Sequence, residues 1–188
     1  MSEVGVLARS AFHRWLPVLC LAGVVAGSVV STSWGQELRW RGFEEAISVA
    51  DSTHRFVLVS IYAPWCGWCR KMKTEVYPSD EVRGCLADNF VLTRLNRDDT
   101  EATVQYRGRR FTPRTLASTF RADGVPATVL LSPQGEYLLH LSGFIEPKML
   151  RSVLAYVSTE AYRRTSFEAY RSRSSPQCET SDRRSGRD

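Results

Sequence analysis

Phe56-Val57-Leu58-Val59-Ser60-Ile61-Tyr62-Ala63-Pro64-Trp65-Cys66-Gly67-Trp68-Cys69-Arg70-Lys71 is the stretch that decides how this chain folds. Its first seven residues form a nearly unbroken apolar run rich in β-branched and aromatic side chains, as expected of a central strand covered on both faces. Ala63-Pro64-Trp65 turns the chain. A helix should begin near Cys66 and run through Arg70, Met72 and Val76. It should stop before Pro78, because proline disfavours helical backbone in the residue ahead of it. Two cysteines three residues apart therefore fall where a buried strand gives way to a helix.

Three uses of such a pair compete. As a staple it is poor, since closing a four-residue loop removes only about 2 kcal/mol of unfolded-state entropy. As a structural zinc site it lacks partners: no second Cys-x-x-Cys is present, and outside the first 35 residues the only histidines are His54 and His140. Two thiolates alone suit Cu(I), a soft ion. As a redox dithiol the pair gains most from its position. At a helix start Cys66 faces free N–H groups and the positive end of the dipole, which favour its thiolate. Cys69, one turn on, can attack a mixed disulfide formed at Cys66. The spacing and placement favour this third use.

Outward from this stretch the chain alternates. Phe43, Ile47 and Ala50 recur at helical spacing from Trp40 onward, with Glu44, Glu45 and Asp51 opposite. Ser79 is a good N-cap for a short helix through Leu86, and Phe90–Leu95 is a second buried strand. Residues 103–111 read as a small hairpin turned at Gly108. Thr112-Pro113 then starts a helix through Phe120. Gly124-Val125-Pro126 leads into the strand Ala127–Leu131, Tyr137–Leu141 returns from it, and Met149, Leu150, Val153, Leu154 and Val157 mark a closing helix. Alternation followed by a hairpin predicts an α/β fold, a mixed sheet with helices on both faces.

At 188 residues, 43% of them apolar, the chain is long enough for one core without staples. The net charge of +5 resides mainly in the termini: residues 163–188 hold seven arginines and four acids, and residues 36–162 carry only about +1. The basic balance is thus no argument for nucleic acid, and none is expected as a partner. Arg9 and Arg14 precede the run Trp15–Val30, followed by Ser33 and Gly35 at small-x-small spacing, which describes a secretory signal peptide over 1–35. An uncleaved membrane anchor is the alternative, since the run nearly reaches the ~20 residues needed to span. The expected location is the periplasm or another extracytoplasmic space. The Ser/Arg-rich tail over 163–188 is expected to be disordered. Cys85 is expected to be a buried free thiol and Cys178 a bystander in the tail. The arginines at 107, 109, 110 and 114 read as a solvated part of the insert.

Ile61-Tyr62-Ala63-Pro64-Trp65-Cys66-Gly67-Trp68-Cys69 resembles the active-site segment of thioredoxin-like proteins, and Gly124-Val125-Pro126-Ala127-Thr128 resembles their cis-proline loop. The resemblance covers about residues 38–158. The insert at 103–111 and Gly143-Phe144-Ile145-Glu146-Pro147 look like exported thioredoxin-related proteins, including a subgroup associated with sulfur oxidation. The resemblance implies a thioredoxin fold over 36–162 and a cis Pro126, with the backbone of Val125 pairing with an extended substrate. In this setting Trp65 and Trp68 form an exposed apolar rim, with Gly67 between the cysteines. It also implies a thiol–disulfide oxidoreductase, most simply a reductase of protein disulfides. A monomer with no bound cofactor or metal is expected, and the compartment implies a membrane-embedded thiol electron donor, because cytosolic reductants do not reach an extracytoplasmic space. A copper metallochaperone and a non-catalytic binding module on the same fold are the rivals. The family often has a buried Asp where this chain has Ser60, so the proton acceptor for Cys69 is left open. Gly67-Trp68 also stands where thioredoxin has Gly-Pro, which leaves the redox direction open.

Overall fold

The computed structural model describes residues 37–173 and 177–178, so the expected leader over 1–35 and its cleavage site lie outside the described residues. At the centre is β2 (Phe56–Tyr62), parallel to β3 (Phe90–Asn96) and antiparallel to β6 (Ala127–Leu131). The short β1 (Trp40–Arg41) adds to β3 in parallel, and β7 (Tyr137–Ser142) adds to β6 antiparallel, giving the order β1-β3-β2-β6-β7. Every residue of β2 but the last is buried, which is why its sequence does not alternate. Val57, Val59 and Ile61 face one layer, with α1 (Phe43–Thr53) and α4 (Pro113–Thr119). Phe56 and Leu58 face the other, with α3 (Asp80–Asn89) and α5 (Pro147–Ser158). Each such fully buried side chain contributes about 1.5–3 kcal/mol of transfer free energy. Among the described residues no helix is long and apolar enough to cross a membrane.

The hairpin is β4 (Val104–Tyr106) and β5 (Arg109–Phe111), a separate two-stranded ribbon. Arg107 and Gly108 both take positive φ, 50° and 75°, as a two-residue turn between right-twisted strands requires. Tyr106 anchors the ribbon: its hydroxyl donates to the Gly135 carbonyl at 2.8 Å, and its ring meets those of Phe43 and Phe120 edge-on.

Several local expectations are corrected. Helix α1 begins at Phe43 and not at Trp40, because Trp40 and Arg41 pair with Leu92 and Thr93 at the sheet edge, with Thr93 Oγ1 donating to the Arg41 carbonyl. The helix after the cysteines is α2 (Gly67–Lys71) continued by a single π turn over Met72–Val76, closed by Tyr77 N–H on the Met72 carbonyl. The wider turn leaves Met72, Val76 and Tyr77 all buried. Ser79 does not cap α3 with its side chain; its hydroxyl donates back at 2.7 Å to the Val76 carbonyl, which also accepts the Ser79 N–H. Thr112 does cap α4, its hydroxyl accepting from Thr115 N–H.

The largest correction concerns the tail and the outlying cysteines. Residues 167–173 form α6 (Phe167–Arg173), whose Phe167 and Tyr170 pack with Tyr162 around the ring of Tyr156 on α5. Cys85 is buried as expected but is not a free thiol: it is bonded to Cys178, with Cα atoms 5.5 Å apart. The aromatic residues supply the apolar contact that the Ser/Arg composition of the tail conceals, and the bridge fastens the chain to α3.

Candidate active site

Cys66 is the N-cap of α2. Its own N–H donates to the Ala63 carbonyl, and its Sγ accepts the Cys69 N–H at 3.0 Å. Strand β2 and the turn Ala63-Pro64-Trp65 deliver it there, and the unpaired N–H groups of the first helical turn supply the donor. Cys66 and Cys69 are joined as a disulfide with Cα atoms 5.2 Å apart. Both are nearly buried, at 4% and 8% exposure, so access does not distinguish them. The hydrogen bond does: it converges on Cys66, where it stabilises a thiolate.

The residues expected to surround the pair converge on it. Ala63, Cys66 and Cys69 form a small cluster against which Tyr62 and Val125 pack. The Val125–Pro126 bond is cis, and the Pro126 carbonyl accepts from Gly143 N–H at 2.8 Å. Trp65 and Trp68 are among the most exposed large apolar side chains, at 66% and 58%. Trp68 lies 5.2 Å from the ring of Phe144, and Lys71 Nζ sits over both rings. Gly67 is exposed, and a Cβ there would meet nothing closer than Arg70 at 3.8 Å, so packing does not demand glycine.

Sequence reading missed the group that holds Trp65. Its indole N–H donates to Asp98 Oδ2 at 2.8 Å. The other carboxylate oxygen accepts from Arg114 at 2.8 Å and from Arg97 at 3.5 Å. The indole bond first, then the two arginines, hold the Asp98 carboxyl below its usual range. Arg114 is therefore tied to the site and is not merely a solvated charge of the insert. No local pattern marks Asp98; it comes from the loop after β3 and meets Trp65 only in the folded chain.

Beneath Cys69, the position expected to lack a base is occupied by a hydroxyl group. Ser60 is buried and accepts from the Tyr77 hydroxyl at 3.2 Å; the same phenol lies 3.2 Å from Thr128 Oγ1. Burial pushes the Tyr77 phenol above its ordinary value, so it stays neutral. A pocket of about 180 Å³ separates this group from the helix above, lined by Ser60, Tyr77, Cys69, Lys73 and Arg94. Among the described residues there is no cluster of three or more metal-ligating side chains.

A mixed sheet with a Cys-x-x-Cys pair at the junction of its central strand and the next helix, opposed by a cis proline, is the arrangement of the thioredoxin class. The chain belongs to the thioredoxin-like family: residues 43–158 match the family described as Thioredoxin-like domain. It is 33% identical over 92 residues to the thiol:disulfide interchange protein DsbD of Ralstonia nicotianae, an overlap that covers 49% of this chain and 14% of that one. With the disulfide bond reductase DsbH of Chlamydia pneumoniae it shares 22% over 105 residues, 55% of this chain and 62% of the other. The chain thus spans less than two thirds of the length of either relative. A thioredoxin-fold protein from Helicobacter pylori has a similar structure, with a TM-score of 0.54 at 17% identity, covering 63% of this chain and 83% of the other.

Proposed function

We propose that this protein is an exported thiol–disulfide oxidoreductase that reduces protein disulfides, with Cys66 as nucleophile and Cys69 as resolving thiol. The observation that carries the assignment is the hydrogen bond from the Cys69 N–H to Cys66 Sγ at the mouth of α2. In the reduced protein the Cys66 thiolate attacks one sulfur of a substrate disulfide, forms a mixed disulfide and expels the other substrate sulfur, which takes a proton from water. The Cys69 thiolate then attacks Cys66 Sγ, forms the intramolecular disulfide and releases the second substrate thiol. Two electrons pass from the pair to the substrate. Val125 packs against the cysteine cluster, and it and the cis Pro126 that follows shape the groove for an extended substrate chain, while Trp65 and Trp68 offer it an apolar rim.

The reductase direction is supported by the name of the Chlamydia relative, and an extracytoplasmic location by the apolar run after Arg14. In such a space the reducing equivalents come from a membrane-embedded thiol carrier. The test is trapping. Cys69→Ser protein, expressed in the native compartment and recovered after acid quenching, should carry substrate proteins on Cys66 as mixed disulfides. Cys66→Ser should carry none. If neither variant traps protein and anaerobic Cu(I) instead binds the parent pair, seen by native mass, the exchange assignment is wrong and the copper-carrier reading replaces it.

A further inference from the structure

The sheet register places Arg94, Ser60 and Thr128 side by side across β3, β2 and β6, on the face that carries Leu58, Leu92 and Leu130 and against which Met72 and Val76 of the π turn pack. Tyr77 reaches onto this row from the end of the π turn. Its hydroxyl donates to Ser60 Oγ, so Ser60 keeps its own hydroxyl hydrogen to donate. The Arg94 guanidinium is held by the ring of Trp40, 4.2 Å from its centroid, and Trp40 in turn packs edge-on against Tyr77. The 180 Å³ pocket joins Ser60, Tyr77 and Arg94 to Cys69 and is large enough for several waters. The titratable and charged groups that face Cys69 across it are Tyr62 from β2, Arg70 from α2, Lys73 from the π turn, Tyr77 and Arg94. Among the described residues that line it none is a carboxylate.

We propose that Arg94 and Ser60 are positioning residues that activate Cys69 by charge and hydrogen bonding through this pocket, so that the resolving thiol ionises to water without a buried base. The proposal rests on Cys69 being the resolving thiol. In the step concerned, Cys69 loses its proton to pocket water and its thiolate electron pair forms the bond to Cys66 Sγ. The bond from Cys66 to the substrate breaks, and the departing substrate thiolate is protonated from solvent. Nothing is needed beyond water. A carboxylate here would take up the proton but disfavour a second negative charge beside it; the cation and hydroxyl do the reverse. Tyr77 serves as the orienting group, since its phenol remains neutral.

The test reads ionisation and not exchange, so its failure is distinguishable from failure of the proposed function. In Cys66→Ser protein with the Cys85–Cys178 bridge intact, Cys69 is the free thiol of the core. Its alkylation by iodoacetamide, located by peptide mapping, is followed from pH 5 to 10. Arg94→Met is expected to move the midpoint up by about one pH unit and slow labelling near pH 7 about tenfold. Arg94→Lys should restore most of the rate. Ser60→Ala should slow labelling about threefold. Raising salt to about 1 M should slow the parent more than Arg94→Met, because the Arg94 cation is screened. Superimposable parent and Arg94→Met profiles overturn the proposal. So does an equal shift in Arg94→Met and Arg94→Lys, which marks a packing role. Should Arg94→Met not fold, the salt dependence of the parent and the Ser60→Ala profile decide.

Discussion

Cys178→Ser cuts the bridge that fastens the tail to α3, and its cost is set by chain entropy. The bridge joins positions 93 apart, and a loop of that size, when cross-linked, removes about 4.7 kcal/mol of unfolded-state freedom at 25 °C. The active-site disulfide closes a loop of separation 3 and removes only about 2 kcal/mol. For a domain of this length each kcal/mol corresponds to roughly 2–4 °C of Tm. Cys178→Ser should therefore lower the melting temperature of the oxidised protein by roughly 10–19 °C, measured by far-UV circular dichroism, while Cys66→Ser with Cys69→Ser lowers it by no more than about 8 °C. Cys85→Ser combined with Cys178→Ser should cost about the same as Cys178→Ser alone, since the loop is already open. A drop under about 4 °C in Cys178→Ser, or one no larger than that of the active-site double variant, would refute the reasoning. The stability gained at Cys85 would then be local packing and not loop closure.

Other outcomes follow from the site and its surroundings. The Asp98 carboxyl is held below its ordinary value, so its contribution is present above the unfolded carboxylate pKa near 4 and is lost as pH falls through the lower folded value. Trp65 fluorescence should change below about pH 4 in the parent, and Asp98→Asn should remove that acid transition. Tyr77→Phe should destabilise by about 1–3 kcal/mol in urea unfolding, because Ser60 and Thr128 lose their shared partner inside the core. Arg107→Asn should leave stability unchanged or raise it by up to about 1 kcal/mol. It relieves a positive φ at the first turn position and gives up an exposed ion pair to Glu136 and an interaction with the Tyr106 hydroxyl. A clear loss in that variant would mean that Arg107 does more than turn the ribbon.

What was legible in the sequence was legible for local reasons. The unbroken run Phe56–Tyr62, the cysteines behind it and Val125-Pro126 each declare their element within a few residues. Arg107-Gly108 declares its turn in the same way. The missed features are those that depend on register or on distant parts of the chain. Arg94 reads as one charged residue in an apolar strand, and only the pairing of β2 with β3 sets it beside Ser60. Trp40 has helical spacing to Phe43 and Ile47, yet the edge of β3 captures it. Pairing between Cys85 and Cys178 is a property of the folded chain and has no signature in either neighbourhood. Phe167 and Tyr170 were visible as exceptions in a polar tail, and they are the residues that hold α6 to α5.

Asp98 has a consequence for how such a protein diversifies. The arm that aims Trp65 runs from Asp98 to Arg114 on α4, a helix that packs on one face of the sheet. The row beneath Cys69 lies on the other face. A drift in the insert or α4 can therefore re-aim the tryptophan and change which partners are accepted while the sulfur chemistry stays as it was. Changes under α2 can retune that chemistry without touching the rim. The sheet separates two inheritable traits, choice of partner and readiness of the thiol, and lets each vary on its own side.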